Sequence, residues 1–67
     1  MTTKIYVSNE KHICFDDLED KDFMRIRKID KTTGGTLITF NDYDSAYRSA
    51  KVFMNKGFET VRILTKT

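Results

Sequence analysis

The sequence has few of the residues that interrupt secondary structure or cross-link a chain: no proline, one cysteine and three glycines among its 67 residues. A lone cysteine, Cys14, excludes an internal disulfide, and no charged and apolar leader is recognisable, so we expect a reducing, cytoplasmic compartment. No apolar run approaches the roughly 20 residues that a membrane-spanning helix needs. Linker-like tracts and repeats are missing too, so residues 1–67 are expected to form a single compact domain.

An excess of charge is also missing. Twelve Lys and Arg residues oppose ten Asp and Glu residues, which leaves a formal net charge of +2. Such a balance does not by itself indicate a binder of nucleic acid or membranes. The charges are nevertheless segregated, because residues 10–22 hold six acids and two lysines, whereas residues 23–67 hold nine Lys or Arg and four acids. We therefore expect a molecule with an acidic segment and a basic remainder.

The best-defined pattern spans residues 36–64 and predicts a strand, a helix and a second strand. Asn41 is the predicted N-cap, and Gly57 is a residue that tolerates the left-handed conformation at a helix end. Between them, residues 42–56 carry apolar side chains at spacings of three and four, which predicts one buried stripe. The predicted stripe consists of Tyr43, Ala46, Tyr47, Ala50, Phe53 and Met54.

Alternating polar and apolar residues place the two strands of this unit at 36–40 and 58–64 and predict two more strands at 4–8 and 23–29. Paired glycines at the end of residues 30–35 predict a turn, because glycine reaches positive φ without steric cost. Residues 12–15 are either a short strand or the entry to the acidic segment, and residues 16–22 are expected to form a loop with at most a helical turn. The predicted fold is α+β, with a mainly antiparallel sheet of three or four strands, one helix on one face and the other face partly open.

No arrangement of residues indicates a reaction, so we expect a protein that is not an enzyme. His12, Cys14 and Asp16 would share a face of a strand, but zinc usually takes four protein ligands in structural sites and three in catalytic ones. The acids at 16–22 also lack the glycine and distal glutamate of a calcium loop. Neither a metal nor a cofactor is therefore expected.

Two surfaces are candidates for binding. The first is the acidic segment, which could contact a basic surface on another protein or could simply be solvated. The second is the sheet face opposite the helix, where an aromatic ring and guanidinium groups could hold a base and phosphates, or could only be the polar outer face that such a sheet needs. The acidic candidates are Asp16, Asp17, Glu19, Asp20 and Asp22; the sheet-face candidates are Tyr6, Arg25, Arg27 and Arg62, with Thr39 beside them.

Residues 5–9, with the sequence IYVSN, resemble the first-strand motif of RNA recognition motif domains. The resemblance implies that Tyr6 stacks on a base, and the hairpin, helix and last strand follow in that family's order. The second motif of the family is matched only in part. Gly34 takes the place of its glycine, but Gly35 and Leu37 occupy the two positions where the family carries stacking aromatics.

In size and composition the chain resembles the small early proteins of bacteriophages and mobile elements, which often bind and block a host protein. The leading functional hypothesis is therefore a non-enzymatic protein that regulates or inhibits a macromolecular partner, expected to be a host protein or a complex that handles nucleic acid. The alternative is a domain that binds single-stranded RNA or DNA through the sheet face. A homodimer built on a sheet edge or on the open face is a third possibility, and no membrane partner is expected.

Overall fold

A four-stranded antiparallel sheet with one main helix forms the domain. The computed structural model describes residues 2–65, so positions 1, 66 and 67 of the predicted domain lie outside the described residues. The sheet order is β2-β3-β1-β4, with every neighbouring pair antiparallel, which confirms the predicted α+β fold. In chain order the elements are β1 (Thr3–Ser8), a 3-10 turn (Phe15–Asp17), α1 (Asp20–Phe23), β2 (Ile26–Lys31), β3 (Gly35–Phe40), α2 (Tyr43–Asn55) and β4 (Val61–Thr65).

The core lies between the sheet and α2. Strand β1 is central, and its alternation leaves Ile5 and Val7 fully buried. The register places Ile5 between Ile38 of β3 and Ile63 of β4, so one apolar row crosses three strands beneath the helix. Together the buried apolar residues are Ile5, Val7, Leu18, Ile38, Phe40, Ala46, Ala50, Phe53 and Phe58.

Local signals define the two ends of α2, with one correction. The N-cap is Asp42 and not Asn41, because a side-chain oxygen of Asp42 accepts a hydrogen bond from the Ser45 amide at 3.1 Å. Aspartate and asparagine cap helices equally well, so the sequence does not distinguish two adjacent candidates. Gly57 has a φ of +93°, which confirms the predicted left-handed end of the helix.

The buried face of α2 is rotated from the predicted stripe. Ser45 and Ser49 are buried beside the two alanines and Phe53, whereas Tyr43, Tyr47 and Met54 are about half exposed. The prediction for those three side chains was wrong, because small residues lie where the helix approaches the sheet and the phenols stay at the flank, within reach of water. There the rings of Tyr43 and Tyr47 stack at 6.0 Å.

Ser49→Ala is expected to raise the free energy of unfolding by about 1 kcal/mol. The Ser49 hydroxyl is buried and has no hydrogen-bond partner within the described residues, and alanine is also the better helix former. Urea unfolding measures the difference. Ser45→Ala is the matched control, since the Ser45 hydroxyl accepts a hydrogen bond from Arg48 at 3.5 Å. A loss of stability at Ser49 as large as that at Ser45 would contradict the prediction.

The segment between β1 and β2 departs furthest from the expectation. Residues 12–15 form no strand, which leaves the alternative that they lead into the acidic segment, and the helical turn allowed within residues 16–22 is present as α1. This helix extends to Phe23, where the predicted strand was expected to begin. Strand β2 therefore starts at Ile26, and its register with β3 shifts between Ile26 and Lys28. Arg27 is the extra residue of this β-bulge, which changes which side chains share a face.

Neither helix among residues 2–65 combines the length and the apolar character that crossing a bilayer requires.

Candidate binding site on the open sheet face

One face of the sheet carries no helix. Helix α2 packs against β1, β3 and β4 on the side of Ile5 and Val7, and α1 packs against α2. The alternate residues of each strand form the opposite surface, which we call the open face. By register it contains Lys4, Tyr6 and Ser8 of β1, Lys28 and Asp30 of β2, Gly35, Leu37 and Thr39 of β3, and Arg62 and Leu64 of β4.

Tyr6 occupies the centre of the open face. Leu37 lies opposite it on β3, and Arg62 lies opposite it on β4. Its phenol reaches across β3, because a Cβ added to Gly35 would come within 2.8 Å of both Cζ and Oη of Tyr6. A Cβ on Gly34 would come within 2.9 Å of the same Oη. The ring therefore lies low over the glycine pair.

The two glycines leave room for the ring of Tyr6, and they do so without a positive φ. Gly57 has the only positive φ in residues 2–65, so the expectation that Gly34 and Gly35 use the left-handed conformation was wrong. What Gly35 supplies is space: a Cβ there would also lie 2.3 Å from the Val7 carbonyl oxygen of the neighbouring strand. No pattern in the sequence reports such a close approach.

Cations surround Tyr6 on the open face. Two rows cross the sheet, one through Tyr6 and one through Lys4. In the Lys4 row, Thr39 separates Lys4 from Lys28 of β2. In the Tyr6 row, Arg62 stands at the β4 end, while Asp30 stands at the β2 end and pairs with Lys28 at 3.7 Å. Neighbouring strands lie about 4.8 Å apart, so the ring has cationic side chains within one or two strands of it.

The predicted sheet-face residues are thus only partly brought together. Tyr6 and Arg62 are direct neighbours, and Arg27 lies in the bulge with its side chain exposed. Arg25 precedes β2, and its carbonyl accepts a hydrogen bond from the Asn41 amide at 2.8 Å, so its place on the open face stays a prediction. Lys28 was missed because a bulge cannot be read from the sequence.

Lys4 was missed as well, although the alternation of residues 4–8 already places it on the same face as Tyr6. It was the one open-face cation that a stricter reading of the strand pattern would have found.

One of the acidic candidates is structural. The Asp22 side chain is 4% exposed, and its carboxylate accepts hydrogen bonds from Nη2 of Arg48 at 2.7 Å and from Nε at 3.1 Å. These bonds lower the pKa of Asp22 below its ordinary value of 3.8, although burial opposes the shift. Asp44 lies one helical turn before Arg48, at the spacing of a helical ion pair, but Arg48 pairs with Asp22 and so joins α2 to α1.

The other acids of the segment are closer to solvent. Asp17 pairs with Lys56 at 3.4 Å, and Glu19 pairs with Lys21 at 3.5 Å. Asp16 and Asp20 are exposed and make no ion pair within residues 2–65. The acidic segment therefore offers fewer free carboxylates than its composition suggests.

The described residues include no group of three potential metal ligands among His, Cys, Asp and Glu side chains. His12 and Cys14 are both exposed. A metal site at these positions thus gains no support from the arrangement of the side chains.

Comparison of the chain with models of protein families, with curated proteins and with solved structures gives no match in any of the three.

Proposed function

We propose that the protein is a non-enzymatic binding domain that holds single-stranded nucleic acid on its open face. The observation that carries the proposal is the position of Tyr6, an aromatic ring at the centre of an uncovered sheet with Arg62 directly opposite and Lys4 on the same strand. Stacking of a base on an aromatic ring contributes about 1–3 kcal/mol, and the cations supply contacts to phosphates.

The glycine pair makes Tyr6 suitable for this role. Because Gly34 and Gly35 have no side chains, the ring lies low over β3, with the backbone beneath it. A base can then lie on the side of the ring that faces away from the sheet. The resemblance of residues 5–9 to the first-strand motif of RNA recognition motif domains supports the same role for Tyr6. Since Gly35 and Leu37 replace the other stacking aromatics of that family, we expect one stacked base.

The site should be short and its affinity strongly dependent on salt. Three cations of the open face can contact phosphates, namely Lys4, Arg62 and Lys28, although Lys28 must exchange its solvent-exposed ion pair with Asp30 for that contact. Three neutralised phosphates on a single strand correspond to a slope of about −2 in log K against log salt. Stacking of one base adds little sequence preference, because every base presents a π face.

Tyr6→Ala is expected to weaken binding of a mixed-sequence oligonucleotide about tenfold or more, and Arg62→Ala is expected to reduce the salt slope by about 0.7. Fluorescence anisotropy across a salt series measures both effects, and circular dichroism confirms that each variant is folded. Tyr47→Ala and Lys51→Ala are matched controls that remove an exposed ring and an exposed cation from α2. Parental affinity in a Tyr6→Ala, Arg62→Ala double variant would refute the proposal.

A second candidate function is regulation or inhibition of a protein partner through the acidic segment. Asp16 and Asp20 are exposed near two exposed apolar side chains, Phe23 and Met24. Aromatic and Met side chains bordered by polar groups are typical of protein interfaces. Capture from a cytosolic lysate separates the candidates: a partner that survives nuclease treatment and is lost on Asp16→Asn, Asp20→Asn supports this one, whereas a nuclease-sensitive partner lost on Tyr6→Ala supports the first.

A further inference from the structure

Strand β2 is an edge of the sheet with an outer side that no other described strand covers. The Thr32 amide donates to the Gly35 carbonyl at 2.8 Å, which sets the phase of the hydrogen bonds between β2 and β3. Hydrogen-bonded and non-hydrogen-bonded residue pairs alternate along an antiparallel ladder, so the N–H and C=O groups of Asp30 and Lys28 also point towards β3. Ile29 lies between them, and its N–H and C=O therefore point outward from the sheet.

The side chain of Ile29 is also incompletely covered. It lies opposite Ile38 on the helix side of the sheet, yet it is 41% exposed. Helix α1, which follows β1, is only four residues long. What remains beside Ile29 is a groove of about 520 Å³, whose apolar lining includes Ile13 and Phe15. The edge thus combines unpaired backbone groups with an exposed apolar side chain.

We propose that β2 pairs with β2 of a second copy of this chain, antiparallel and centred on Ile29. In this register Lys28 lies opposite Asp30 of the second copy, and Asp30 lies opposite Lys28 of the second copy. Cross-strand pairs of opposite charge stabilise a sheet, and here both pairs arise from a single two-fold axis. This self-complementarity in charge is what identifies a second copy as the occupant of the edge.

The outward direction of the Ile29 backbone groups also fits a two-fold axis centred on Ile29. Ile29 presents both its N–H and its C=O, so the two central residues can exchange two hydrogen bonds. The flanking Lys28–Asp30 pairs then occupy non-hydrogen-bonded positions, where opposite side chains are closest. Within one chain Lys28 and Asp30 already lie 3.7 Å apart, so the dimer contact contains four charges of alternating sign. On the helix side, the two Ile29 side chains meet and the two grooves adjoin.

The contact is limited in length. The next pair in this register opposes Arg27 with Lys31, two cations, and Arg27 is already displaced by the bulge. Complementary pairing is therefore confined to three residues on each copy, and the association is expected to be weak. The other edge, β4, offers no equivalent, because Arg62 is the only charged residue among positions 61–64.

A charge-swap experiment tests the dimer. Asp30→Lys and Lys28→Asp each place like charges across the axis, and each is expected to raise the dimer dissociation constant about tenfold in sedimentation equilibrium. An equimolar mixture of the two variants restores opposite charges at both positions and should associate to within about threefold of the parent. Glu59→Lys, which makes the same charge change as Asp30→Lys at an exposed site away from β2, is the control and should leave association unchanged.

Several outcomes would overturn the inference: a parent that stays monomeric at millimolar concentration, dimers that persist in both swapped variants, or a mixture that fails to recover association. Circular dichroism establishes that each variant is folded before it is compared. Lys28 is also one of the open-face cations, so Lys28→Asp is expected to weaken oligonucleotide binding as well. Tyr6→Ala, on β1 and away from the β2 edge, should weaken oligonucleotide binding and leave association unchanged, so the two proposals can fail separately.

Discussion

Replacing Arg48 with methionine is expected to leave the buried Asp22 carboxylate without its arginine partner and to lower the free energy of unfolding by about 2 kcal/mol, less than for a fully buried pair because Arg48 is partly exposed. Methionine retains the aliphatic stem and the helix propensity of the residue it replaces, so the loss reports mainly on the carboxylate. The side chain of Asp22 is 4% exposed, whereas that of Arg48 is 44% exposed. For a small domain, a change of this size is a large part of the total stability.

Because Asp22 is buried and Arg48 is not, removing either partner should cost a different amount of stability, and this difference serves as the control. In Asp22→Asn the charge left behind belongs to Arg48, which water can reach, so this variant should lose less stability than Arg48→Met. Urea unfolding at neutral pH compares the two variants. If Asp22→Asn lost as much stability as Arg48→Met or more, the buried carboxylate would not be the dominant cost.

Acidification should change the contribution of Asp22 to the free energy of unfolding in opposite directions in the parent and in Arg48→Met. In the parent, hydrogen bonds from Arg48 hold the pKa of Asp22 below 3.8. The stabilisation by ionised Asp22 is therefore complete above the unfolded-state pKa of about 3.9, and it is lost as the pH falls through the folded-state pKa. In Arg48→Met, burial without a partner raises the pKa of Asp22 above its unfolded value. The penalty in that variant is then relieved as the pH falls through the raised pKa, so the stability gap between the two proteins narrows on acidification.

The Asp22–Arg48 pair is a contact that the sequence alone did not predict. Six acids lie within residues 10–22, and nothing local distinguishes the one that is buried. Its partner is 26 residues away, on another helix. Sequence patterns indicate contacts between residues one helical turn apart, such as Asp44 and Arg48, but they do not indicate a contact between α1 and α2.

The features that could be predicted are those encoded within one segment of the chain. Helix α2 and the fold class could be predicted, because capping residues, Gly57 and a helical period are all encoded within one segment. Tyr6 and Arg62 were placed on one face because β1 and β4 alternate regularly. The face of Lys28 could not be predicted, since a short helix delays the start of β2 and a bulge then shifts its register.

Gly35→Ala is expected to destabilise the protein by about 3 kcal/mol, the upper part of the usual range for overpacking. The new methyl group would lie 2.3 Å from the Val7 carbonyl oxygen and 2.8 Å from Cζ of Tyr6. Val7 belongs to the central strand, which is paired on both sides, so the backbone cannot easily move away. Urea unfolding again measures the loss.

Gly34→Ala is the matched control, and it connects the fold to the proposed binding site. Its methyl group would meet only the Tyr6 hydroxyl, at 2.9 Å, and the end of a side chain can move where a backbone carbonyl cannot. The cost should stay below about 1 kcal/mol. Because the phenol must shift, oligonucleotide affinity should nevertheless change. Adding Tyr6→Ala to Gly35→Ala should not restore stability, since the clash with the Val7 carbonyl remains. Equal stability of the two alanine variants would show that β1 yields at Val7, and Gly35 would then owe its place to the ring of Tyr6 alone.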